Sequence, residues 1–122
     1  MTKDSMPNPL PSVLYKVVSS EVWEAAQREG RFLGAGIDAQ DGFIHLSAPD
    51  QVVETVEKHF AGQSNLVLIG VEAEKLGESL KWEPSRGGAL FPHVYGPIEL
   101  NAVTNVQPLP LGADGKHQFP TN

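Results

Sequence analysis

Cysteine is missing from this chain altogether. Disulfides, thiolate metal sites and cysteine nucleophiles are therefore excluded. Basic residues are few: 9 Lys and Arg stand against 15 Asp and Glu, for a formal net charge of −6. No basic stripe is there to release counterions from a phosphate backbone, so no nucleic-acid partner is expected. Long apolar runs are missing too. The longest, Leu66 to Val71, is far too short to span a bilayer, and no membrane partner is expected. Met1 to Ser12 is polar and proline-bearing, with no apolar signal segment, so a cytoplasmic location is expected. No histidine pair stands at i, i+4, and no histidine-glutamate helix motif occurs, so no metal ligand is assigned. Nucleophile-elbow, P-loop and dinucleotide fingerprints are likewise lacking.

What is present suits one packed domain. The chain has 122 residues, 40% hydrophobic and 20% charged, which supports a single core and argues against disorder. The domain is expected over residues 13–109, with loose termini at 1–12 and 110–122. Val13 to Val18 is β-branched and apolar and reads as a strand. Ser19-Ser20 offers an N-cap to a helix running from Glu21 to Glu29, which buries Val22, Trp23 and Ala26 and stops at Gly30. Arg31 to Asp41 reads as a loop, and Asp41-Gly42 as a turn. Phe43 to Leu46 reads as a short strand. Ser47-Ala48-Pro49-Asp50 fits a capping box for a helix to about Phe60, with Val52, Val53, Val56 and Phe60 on one face. Asn65 to Glu72 is a near-continuous apolar run, as in a central strand. A helical turn over Ala73 to Gly77, strands over Leu80 to Glu83, Phe91 to Tyr95 and Ile98 to Gln107, and a fraying tail from Pro108 complete the reading. This order predicts an α+β domain with both helices in the N-terminal half and a mixed, mainly antiparallel sheet.

Two segments each place one histidine in an apolar setting: Gly42-Phe43-Ile44-His45-Leu46-Ser47 and Phe91-Pro92-His93-Val94-Tyr95-Gly96. Histidine is costly to bury unpaired and changes charge near neutral pH. His45 shares a strand face with Phe43 and is either a ligand donor in a cleft or a satisfied core histidine. His93 lies near Tyr95, with Arg86 and two glycines upstream. Arg86 offers a bidentate grip on phosphate or carboxylate, and Tyr95 a stacking ring or a hydroxyl. A hairpin shaped only by its Pro and Gly residues is the plainer reading of this stretch. Trp82 and Phe91 fit a pocket wall or the core. His59 reads as solvated helix surface, and His117 falls in the tail.

Four segments together resemble the small bacterial family known as domain of unknown function 952: Leu14-Tyr15-Lys16-Val17, Gly42 to Ser47, the helix opening at Pro49, and Phe91 to Gly96. The resemblance spans roughly Leu14 to Leu109. It implies a fold similar to the ADP-ribosyltransferases. There a first strand grips the NAD ribose, a second strand stacks on nicotinamide, and a late strand carries a glutamate. By strand order Lys16 takes the ribose-gripping place, Phe43 or His45 the stacking place, and His93 the late-strand neighbourhood. No glutamate lies between Glu83 and Glu99. NAD as a cofactor follows from this resemblance alone. The expected site has His45 and His93 as catalytic residues and Tyr15, Lys16, Phe43, Ser47, Arg86 and Tyr95 as ligand-binding residues. The expected function is binding of a small anionic or nucleotide-like ligand in a histidine-lined cleft. Transferase or hydrolase chemistry on nucleotide derivatives would follow. A non-catalytic ligand-binding or protein-interaction module is the alternative.

Overall fold

A near-continuous apolar strand needs two covered faces, and the computed structural model of the chain shows both. It describes residues 10–36, 38–84 and 88–119. Strand β4 (Leu66–Glu72) lies between β1 (Val13–Ser19) and β8 (Val103–Pro108), antiparallel to each. On one face Leu14, Val18, Ile69 and Val71 join the larger core, which also takes Trp23 and Ala26 from helix α1 (Ser20–Glu29). On the other face Val17, Leu66 and Leu68 pack with Val52 and Val56 of helix α3 (Val52–His59) and with Leu109. The period-two alternation of each strand divides its side chains between the two cores.

The second three-stranded sheet has the order β3 (Ile44–His45), β6 (Leu90–Val94), β5 (Leu80–Pro84), again antiparallel. A backbone bridge between Tyr15 and Ser47 ties it to β1, with N–H···O distances of 2.8 and 2.9 Å. A two-stranded ribbon pairs β2 (Arg31–Phe32) with β7 (Ile98–Glu99). The architecture is α+β with mainly antiparallel sheets and few helices. No helix among the described residues is long and apolar enough to cross a membrane.

Helix α1 forms as its caps predict: Ser19 Oγ accepts from the Val22 N–H, and Gly30 closes the helix at φ 88°. Elsewhere local chemistry departs from the pattern. Arg31 to Asp41 is not all loop, since it holds β2 and one helical turn, α2 (Asp38–Asp41). That turn is stabilised by a side-chain network rather than by apolar periodicity. Ser47 does not cap α3. Its hydroxyl donates to Thr55 Oγ1 at 3.2 Å, while Gln51 Oε1 accepts from the Ala48 N–H at 2.9 Å. Val53 is 45% exposed, because Val52 and Val56 fix the inward stripe and Val53 lies to one side of it, about 100° round the helix from Val52 and about 60° from Val56. The strand expected over Ile98 to Gln107 is broken by a 3₁₀ turn at Leu100–Ala102. Residues 110–119, expected to be loose, carry packing: Phe119 lies against the second core and His117 Nε2 donates to the Gln63 carbonyl at 2.7 Å.

Candidate functional site

Lys16 sits on β1 at the parity of Leu14 and Val18, which would bury a bare ammonium. Asp38 answers it, with Nζ to Oδ2 at 2.9 Å, and Nζ also donates to the His45 carbonyl at 3.0 Å. Asp38 is only 3% exposed and every acceptor site it has is used. Oδ2 accepts from the Ala35 N–H at 2.9 Å; Oδ1 accepts from the His45 N–H at 3.2 Å and lies 2.6 Å from His45 Nδ1. Burial pushes the Asp38 carboxyl up, but Lys16, the His45 ring and the Ala35 N–H outweigh it and hold it below its ordinary value. Burial pulls the Lys16 ammonium below its ordinary range, and Asp38 offsets part of that pull. Gly34 makes room for this knot: at φ 113° it leaves a space in which a Cβ would stand 2.9 Å from Asp38 Cβ. Gly42, at φ 85°, then turns the chain from α2 into β3. On the far side of the His45 ring, Nε2 meets Asp41 Oδ2 at 3.0 Å. Both of its nitrogens thus face carboxylates.

The register of β3 on β6 makes His45 and His93 direct cross-strand partners. Side chains so placed share one face, and the two rings lie 5.3 Å apart, edge to face. On β5, Lys81 is opposite His93, so Glu83 is its diagonal neighbour on the same side. Glu83 Oε1 lies 2.7 Å from His93 Nδ1 and accepts from the Tyr95 hydroxyl at 2.8 Å. Those hydrogen bonds, His93 first, hold the Glu83 carboxyl below its ordinary range; the same contact raises the Tyr95 hydroxyl. A carboxylate only accepts, so Nδ1 of His93 carries the proton. His93 is 3% exposed, and no described residue reaches its Nε2. Phe43 stacks on the His93 ring at 4.2 Å and touches His45 at 4.6 Å and Tyr95 at 5.2 Å.

Both histidines line a cavity of about 470 Å³, the size of a small-molecule site. Tyr15, Lys16 and Ser47, three of the residues expected to bind a ligand, line it, and Phe91, Phe60, Val52 and Thr55 add an apolar and hydroxyl wall. Phe43 backs the imidazoles rather than lining the cavity, and Tyr95, 43% exposed, reaches it only through Glu83. Trp82 packs against the larger core. Arg86 lies outside the described residues. His59, read as surface, is exposed yet stands at the cavity's edge. Asp38, Asp41 and Glu83 are the residues that sequence reasoning missed. The available signal for Asp38 was Lys16 itself, since a cation at a core parity needs a buried anion. No group of three or more His, Asp or Glu among the described residues is placed to hold a metal ion.

This geometry defines an α+β domain with a histidine-lined cavity between two antiparallel sheets. A family model described as "Protein of unknown function (DUF952)" matches residues 17–106, and the chain belongs to that family. It is similar to protein CC0527 from Caulobacter crescentus, whose crystal structure is 56% identical, with a TM-score of 0.83, covering 87% of this chain and 93% of that one. The solution NMR structure of CC0527 is similar at 55% identity, with a TM-score of 0.79 and coverages of 88% and 92%. No curated protein matches the chain.

Proposed function

We infer that the cavity binds a small nucleotide-like ligand and that His93, oriented by Glu83, moves a proton at it. One observation carries this reading: a buried imidazole with Nδ1 fixed on a carboxylate and Nε2 without a partner among the described residues, in the wall of a ligand-sized cavity. That is the arrangement of a general acid–base histidine: the carboxylate sets the tautomer and stabilises the imidazolium that forms when Nε2 takes a proton. The reaction class is hydrolysis or group transfer, in which a hydroxyl or water gives its proton to Nε2. Tyr15, Phe60 and Phe91 supply aromatic surface for a planar ring. His45 acts as a positioning residue, because Asp38 and Asp41 occupy both of its nitrogens.

The ADP-ribosyltransferase likeness belongs to this proposal. Its support is the order in which the chain supplies the walls: Lys16 from the first strand, His45 from the strand ahead of α3, and Phe91 and His93 from a late strand. NAD enters the ligand class through that likeness. The test is a stability and NMR screen of NAD, ADP-ribose, nucleoside phosphates and small acids on wild type and His93→Ala. The reading expects a hit that binds wild type and a variant that loses turnover. It fails if no compound binds, or if His93→Ala turns the hit over as wild type does. A non-catalytic binding module is the second reading, favoured by the occupied nitrogens of His45, which leave one proton-transfer group instead of two. Binding without turnover would select it.

A further inference from the structure

The charges that face the cavity are already balanced in pairs, and this bears on what the cavity admits. Lys16 is held by Asp38, and His45 is bracketed by Asp38 and Asp41. His59 stands at the edge, on α3. Two side-chain nitrogens of the lining stay open among the described residues. Lys16 Nζ has three N–H groups and directs two of them at Asp38 and the His45 carbonyl, so one remains to donate. His93 Nε2 is open as well, and it is shielded from bulk water. With the proton on Nδ1, the neutral ring offers Nε2 as an acceptor. An anion there requires the charged ring, with a proton on Nε2 and the Glu83 carboxylate as its counter-charge; the neutral ring instead calls for a donor.

We propose that the inner end of the cavity takes an uncharged ligand edge bearing both a donor and an acceptor, such as an amide or a pair of hydroxyls. The donor meets His93 Nε2 and the acceptor meets Lys16 Nζ. This deepens the reading of the cavity as a ligand site and rests on it. It also replaces the expectation of an anion at this end of the cavity with that of a neutral group. A donor placed on a buried, otherwise unmet acceptor gains the full value of the contact, whereas an acceptor-only group leaves Nε2 unpaired beside a like-signed lone pair.

The experiment compares matched pairs that share a skeleton and differ in charge, phenylacetamide with phenylacetate and further carboxamide–carboxylate pairs, by NMR titration of the full chain. The side-chain resonances of His93 and Lys16 and the dissociation constants are the readouts. The amides are expected to bind about tenfold more tightly than the acids and to move both resonances. His93→Ala should abolish that preference while a folded spectrum shows the domain intact. Should that variant unfold, Lys16→Met gives the second reading: amide and acid both weaken while the amide preference stays, because the His93 contact that creates it is kept, and loss of the preference in this variant would overturn the assignment. If the acids bind as well as or better than the amides and move His93, the neutral-edge assignment fails and the ligand site stands. If neither class moves His93 and the nucleotide screen is also empty, both fail together.

Discussion

Two histidine–carboxylate pairs lie side by side, and they are built to different ends. The Asp38–His45 pair is closed: the carboxylate accepts four contacts and the imidazole meets a carboxylate at each nitrogen. The Glu83–His93 pair is open, because its carboxylate is partly exposed and one imidazole nitrogen is unmatched among the described residues. The first pair joins β1, α2 and β3 into one unit, so its removal should be felt as lost folding energy. The second ties only β5 to β6, so its loss should be felt at the ligand.

The largest effect is expected at the hub. Asp38→Ala strands a buried Lys16 ammonium and leaves the Ala35 and His45 N–H groups unmatched. A loss of about 3–5 kcal/mol in urea unfolding is expected; a loss under about 1 kcal/mol would erase the contrast between the pairs. Lys16→Met leaves Asp38 three of its donors and should lose less, about 1–3 kcal/mol. Asp41 is partly solvated, and Asp41→Ala should lose about 0–1 kcal/mol.

Acid titration sharpens the same contrast. The Asp38 carboxyl is held below its ordinary value in the folded state. The folded chain therefore binds fewer protons there than the unfolded one. Its contribution is full above the unfolded value, roughly 4, and is lost as pH falls through the folded value. Urea midpoints of wild type should drop over that acid range, and those of Asp38→Asn should drop less. Equal slopes would show that Asp38 is not a stabilising anion. The smallest effect is expected at Tyr95. Tyr95→Phe removes one donor from Glu83 and should leave the melting temperature nearly unchanged, while weakening the hold on His93 that any ligand affinity or turnover would report.

The apolar strands, both long helices and the nearness of His45 to His93 were legible because each rests on periodicity or on paired apolar segments. The carboxylates were not. Glu83 alternates with Lys81 and looks like the wet side of a half-buried strand; only the register of β5 on β6 sets it diagonal to His93. Asp38 sits in a glycine-rich stretch with no period, and its role depends on Lys16, 22 residues earlier and on strand β1. Position 53 shows the opposite failure. A valine beside two buried valines suggested a wider buried face than α3 has room for.

The central claim is that His93, and not His45, presents an open nitrogen. Long-range ¹H–¹⁵N correlation of the histidine side chains reads this directly, with the His93→Ala spectrum giving the assignment. The account predicts neutral His93 as the Nδ1–H tautomer, with Nε2 unprotonated and moving when a ligand is added, while the Nδ1 signal holds through Glu83. A neutral His93 found with its proton on Nε2 would contradict it, for Nδ1 would then face the Glu83 carboxylate with no proton to donate.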